Sequence, residues 1–108
     1  MEQNCLIMKW EYFYDKESTW FDEDQGEERL DLIEGAAYPL PHIGRKKIEI
    51  ISVETEGEAI QAVLYVDSHS VTVCSGGEPV VAHASDSYSV AGDSVHQSLC
   101  LSFTIEKK

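Results

Sequence analysis

With 108 residues, 43% of them hydrophobic and 26% charged, the chain amounts to one domain, residues 1–108, able to bury a core without disulfides or metal. Twenty acids against eight bases leave a net charge of −12, which argues against nucleic acid and anionic membrane as partners, because both demand a basic footprint. There is no apolar run of about 18 residues to cross a bilayer, and the acid at position 2 with no apolar segment behind it argues against secretion, so the expected compartment is the cytoplasm.

Along Leu6 to Tyr14 the residues Leu6, Met8, Trp10, Tyr12 and Tyr14 fall on one side of an extended chain. Ile7, Lys9, Glu11 and Phe13 fall on the other. A period of two with aromatics predicts a half-buried strand. Asp15-Lys16-Glu17-Ser18 reads as a turn, and Ser18-Thr19-Trp20-Phe21 as a short return strand. Six of the ten aromatics lie between Trp10 and Phe21, so this first hairpin is aromatic-rich.

Between Asp15 and Glu34 nine acids face two bases, which concentrates more than half of the net charge in one region. Its most polar part, Asp22-Glu23-Asp24-Gln25-Gly26-Glu27-Glu28, is expected to be a solvated loop tip, as charge runs commonly are. Its sharper reading is a docking face for a basic partner. Arg29 to Glu34 reads as a strand with Leu30 and Leu32 on one face. Gly35 to Gly44, with Pro39 and Pro41, reads as an irregular connection, in which Tyr38 and His42 are the side chains to follow because loops carry function.

Lys46 to Val73 organises the rest: three short strands separated by turns at Thr55-Glu56-Gly57 and Asp67-Ser68-His69. Ile48 and Ile50 share one face, with Ile51 and Val53 on the other. In the next strand Ile60, Ala62, Leu64 and Val66 are backed by Val63 and Tyr65, which suggests a strand covered on two sides. Ser70 to Ser75 continues the meander and Gly76-Gly77 turns it. Ala91-Gly92-Asp93-Ser94 makes a further turn. The final strand places Leu99, Leu101, Phe103 and Ile105 inward. The sum is an all-β, antiparallel meander of about eight short strands, and a barrel closed by pairing of the first and last strands is favoured over an open sandwich because it leaves no exposed edge.

No constellation names a chemistry. Cys5, Cys74 and Cys100 are odd in number, lack a Cys-x-x-Cys pair and sit in or beside apolar runs, so each is expected as a packed thiol. His96 and Cys100 share a face with His83 nearby, but the short ligand spacings of zinc sites are missing and no metal is assigned. Ser85, Ser87, Ser94 and Ser98 with His83 or His96 and Asp86 or Asp93 lack a Gly-x-Ser-x-Gly elbow, and serines recur in β-turns for local hydrogen bonding. No catalytic residue and no cofactor follow.

Two functional expectations remain. The first is a binding module for a basic protein, of the immunity-protein or inhibitor class by size and charge alone, with Asp22, Glu23, Asp24, Glu27 and Glu28 as contact residues. The second is a barrel holding a small apolar or aromatic ligand in a mouth lined by Trp10, Tyr12, Trp20 and Tyr65. The expected assembly is a monomer or an edge-strand homodimer.

Overall fold

The computed structural model describes residues 4–17 and 20–107, and these contain eight strands and no helix. The elements are β1 (Cys5–Lys16), β2 (Trp20–Asp31), β3 (Ala37–Pro39), β4 (Lys47–Glu56), β5 (Ala59–Val66), β6 (His69–Cys74), β7 (Val80–Val90) and β8 (Asp93–Glu106). They form two antiparallel sheets, a long one ordered β2-β1-β8-β7 and a short one ordered β3-β4-β5-β6. No helix among the described residues is long and apolar enough to cross a membrane.

The period-two pattern decides which side chains go in. Leu6, Met8 and Tyr12 of β1, Leu99, Leu101, Phe103 and Ile105 of β8, and Ile60, Ala62, Leu64 and Val66 of β5 are all buried in one cluster shared by both sheets. Among the described residues, no polar or charged residue is buried with them. The terminal strands pair in the expected way, Met8 opposite Phe103 and Tyr12 opposite Leu99.

The barrel nevertheless does not close, because no ladder joins β2 to β3 or β6 to β7. Chemistry at the edges accounts for this. β3 is three residues long and ends in Pro39, which has no N–H to donate. At the other opening β7 offers the amides of Ser85 and Ser87, and these donate instead to the carboxylates of Asp67 and Asp86.

Three further expectations are corrected. The acidic stretch Asp22 to Glu28, expected as a loop tip, forms the body of a twelve-residue strand, since residues 20–31 pair with β1 along their whole length, Lys16 with Trp20 through Cys5 with Asp31. The cross-strand partners of β1 outweigh the low strand propensity of the acids. A register shift between Ile50 and Ser52 sets Val53 opposite Ala62, on the core side with Ile48 and Ile50, and leaves Ile51 half-exposed. Tyr65 is also exposed, so β5 is covered on one face only.

The turns are local chemistry. Ala91 and Gly92 both have positive φ, 51° and 87°, as do Asp67 and Ser68 at 44° and 71°, which is the geometry of two-residue hairpin loops whose twist matches the strands. The short return strand expected at Ser18-Thr19-Trp20-Phe21 begins outside the described residues; from Trp20 onward the chain is β2.

Candidate functional site

Strand register sorts the long sheet into rows. On its outer side one row runs Gln25, Glu11, Cys100, His83 and the next runs Glu23, Phe13, Ser98, Ser85. Between them a groove of about 910 Å³ crosses all four strands and ends at Asp67 and His69, in the β5–β6 turn beside β7. A second groove of about 580 Å³ lies alongside, lined by Lys9, Glu11, Gln25, Glu27, Cys100 and Ser102 among others.

The larger groove contains Glu11, Glu23, Asp24 and Asp67 and no lysine or arginine. Two of those carboxylates are already committed. Asp24 meets His42 at 2.8 Å and accepts the Gln25 amide at 2.9 Å, and the His42 bond holds its carboxyl below the ordinary range. Asp67 pairs with the Lys46 ammonium, which lowers it likewise, and accepts the Ser85 amide. Glu11 and Glu23 form no ion pair among the described residues. Phe13, 39% exposed, is opposite Glu23 and two residues after Glu11 on the same side of β1, and it tilts against Phe21, 56% exposed, with ring centroids 6.0 Å apart.

On the inner side the overhang of the long sheet is covered by the β3–β4 connection, whose Leu40 and Ile43 are buried. His42, at φ 60°, stacks on Tyr12 with centroids 4.2 Å apart and meets Trp10 edge-on at 5.3 Å. Gln97 donates to the Tyr12 hydroxyl at 2.6 Å, while burial raises the Tyr12 phenol above its usual value. Arg45 reaches Asp86 and lies over the Tyr88 ring, 5.6 Å from its centroid. The connection therefore spans the sheet from Asp24 on β2 to Asp86 on β7. Trp10 also covers Gly26 across the ladder, where an added Cβ would stand 2.6 Å from the indole.

The five acids named from sequence are all exposed but do not share a face. Glu23 and Glu27 point outward with Gln25; Asp22, Asp24 and Glu28 take the opposite side, in register with Tyr14, Tyr12 and Met8. The aromatic set is divided as well. Trp10 and Tyr12 belong to the His42 cluster, Trp20 is 63% exposed at the far end of β2, and Tyr65 projects from the other sheet, so the four line no common cavity. The packed-thiol expectation also changes: Cys74 is exposed and Cys5 and Cys100 are half-buried, and no disulfide links them.

His83 lies directly across the ladder from Cys100, with Glu11 on that thiol's other side. Such an order is wrong for a nucleophilic triad, in which the base stands between the nucleophile and the carboxylate that orients it. His96 bonds Ser87 at 2.9 Å in a different row. No group of three or more metal-ligating side chains converges among the described residues. His83 was weighed from sequence only as a zinc ligand or a base, and Glu11 and Phe13 not at all, since their one signal is an outward parity shared with every other surface residue of the strands.

No protein-family model matches this chain, and comparison with curated proteins and with solved structures finds no match.

Proposed function

We propose that this chain is a cytoplasmic protein-binding module whose long sheet takes a basic partner, with Asp22, Glu23, Asp24, Glu27 and Glu28 of β2 supplying much of the attraction. The observation that carries the reading is the groove across the outer side of that sheet: the carboxylates of Glu11, Glu23 and Asp67 line it, with no lysine or arginine. A concave surface of one sign concentrates its field and steers oppositely charged partners. The partner sits on the face of the sheet and does not extend it. On β2 the amides of Glu23 and Gln25 donate to the side chains of Asp22 and Asp24, at 3.0 and 2.9 Å, and on β7 the amides of Ser85 and Ser87 are occupied in the same manner. Strand addition needs those donors.

The test is kinetic. Association with a partner captured from the native lysate is followed at low and high ionic strength, with the five acids intact and changed together to amides. The expected result is an on-rate that falls steeply with salt and loses that dependence in the amide variant. An association rate indifferent to both salt and the five substitutions ends the proposal.

A further inference from the structure

We infer that the β2 end of the groove is an arginine subsite, in which a guanidinium of the partner rests on the Phe13 ring and is held by Glu11 and Glu23. The inference depends on the binding role proposed above and names the side chain the groove receives.

Three observations converge on it. Phe13 is a large apolar side chain left exposed on a strand whose inner side is well buried, and the aromatic ring it meets on that side, Phe21, is more exposed still. Glu23 is directly opposite Phe13 and Glu11 is two residues before it on the same side of β1, so Glu23 is the ring's direct cross-strand neighbour, at roughly 4.5–5.5 Å between Cβ atoms, and Glu11 and Glu23 are diagonal neighbours of each other at roughly 7–8 Å. Both lack an ion pair among the described residues, whereas Asp24 and Asp67 are taken by His42 and Lys46. The nearest lysine of the neighbouring row, Lys9, is directed to Glu27 at 3.8 Å.

An aromatic face bordered by two carboxylates attracts a cation through the ring quadrupole and through charge-assisted hydrogen bonds together. Arginine suits it better than lysine. Its planar fork stacks on a ring while keeping N–H groups pointing outward on two sides, and it is less strongly hydrated than an ammonium. The remainder of the groove, past Ser98 and Ser85 to His83 and His69, carries no acid apart from the engaged Asp67. That leaves room for the neighbouring residues of an extended segment and places the charge requirement at one end.

The experiment is calorimetric titration of the protein at low salt with three capped peptides, alternating serine with arginine, lysine or glutamate. The arginine peptide is expected to bind saturably and more tightly than the lysine peptide, and the glutamate peptide not at all. Phe13→Ala, and separately the pair Glu11→Gln and Glu23→Gln, should each weaken the arginine peptide roughly 3- to 30-fold. Phe13→Leu keeps an apolar side chain without the ring and should weaken it too, with an unchanged far-ultraviolet circular dichroism spectrum. Equal affinity for arginine and lysine peptides, no saturable arginine binding, or affinity untouched by these variants overturns the subsite. The two proposals separate at Asp22→Asn with Glu28→Gln, which lie outside the groove. Partner association slowed by that pair but unaffected by Phe13→Ala keeps the binding role and removes the subsite; association unaffected by either removes both.

Discussion

The two sheets share one core and differ in nearly everything else. The long sheet has strands of 12, 12, 14 and 11 residues in the order β2-β1-β8-β7, against 3, 10, 8 and 6 in the short one. That mismatch draws the molecule out to 54 × 22 × 21 Å and leaves the long sheet with surface the short one does not cover. Both grooves described above lie on the long sheet, as do Phe13, Phe21, Trp20, Val81, Tyr88 and Val90 among the exposed large apolar residues. The short sheet chiefly closes the core. The lesson is that a sheet longer than its cover must manage extra edge and extra face, and here aspartates serve the edges while the β3–β4 connection serves part of the inner face.

The core common to both sheets should fail as one unit. Phe103 is fully buried between Met8 and Val80 in the ladder, and Leu64 is its fully buried counterpart in the short sheet. Phe103→Ala is expected to cost about 3–5 kcal/mol and Leu64→Ala about 2–5 kcal/mol, read by urea denaturation. Fluorescence of the two tryptophans, both on the long sheet, and circular dichroism of all strands should give coincident transitions. Separate transitions would mean that the sheets are independent.

A smaller effect is expected where the sheets are tied at the edge. Asp67, in the turn between β5 and β6, joins Lys46 and the Ser85 amide of β7. The Lys46 hydrogen bond depresses its folded pKa. A depressed carboxyl adds stability that is fully present above the unfolded value, about 4, and disappears as the pH falls through the lower folded value. Asp67→Asn should therefore destabilise the protein at neutral pH by about 1 kcal/mol or less, since Lys46 keeps partial exposure. The gap between variant and parent should shrink only below about pH 4, as followed by thermal melts across pH.

The smallest change in stability is expected at the edge of β2. Replacing Asp22 and Asp24 by alanine removes side-chain acceptors from exposed amides and the exposed Asp24 contact with His42, at little cost to folding, but it uncovers donors for a second strand. Sedimentation at rising concentration should show the double variant self-associating while the parent stays as it was. An equivalent change in the short sheet, Ser70→Ala on the exposed β6 edge, should leave the assembly state alone.

How much of this was legible in the residues varies from strand to strand. β8 reads directly because Leu99, Leu101, Phe103 and Ile105 alternate with polar neighbours, and a one-residue slip would move the whole set to water. The turns at Asp67-Ser68 and Ala91-Gly92 read directly because Asp, Ser and Gly between apolar runs are turn formers, although positive φ at Ser68 and Ala91 is not written in those residue types. β2 does not read, since Asp22 to Glu28 has the composition of a solvated loop and becomes a strand only because β1 supplies a partner for each residue. The bulge after Ile50 likewise left no mark in the local pattern and reversed the side on which Val53 sits.

Alternation of apolar and polar side chains thus determined by itself that the chain would be all-β, antiparallel and closed over Leu64, Leu99 and Phe103, because burial acts on each residue where it stands. Tertiary structure alone decided that the sheets stay apart at their edges, that the acids fall on two faces of one strand, and that Glu11, Phe13 and Glu23 meet. Those outcomes depend on which strand lies beside which, and cross-strand neighbours come from segments whose distance along the chain carries no trace of their pairing.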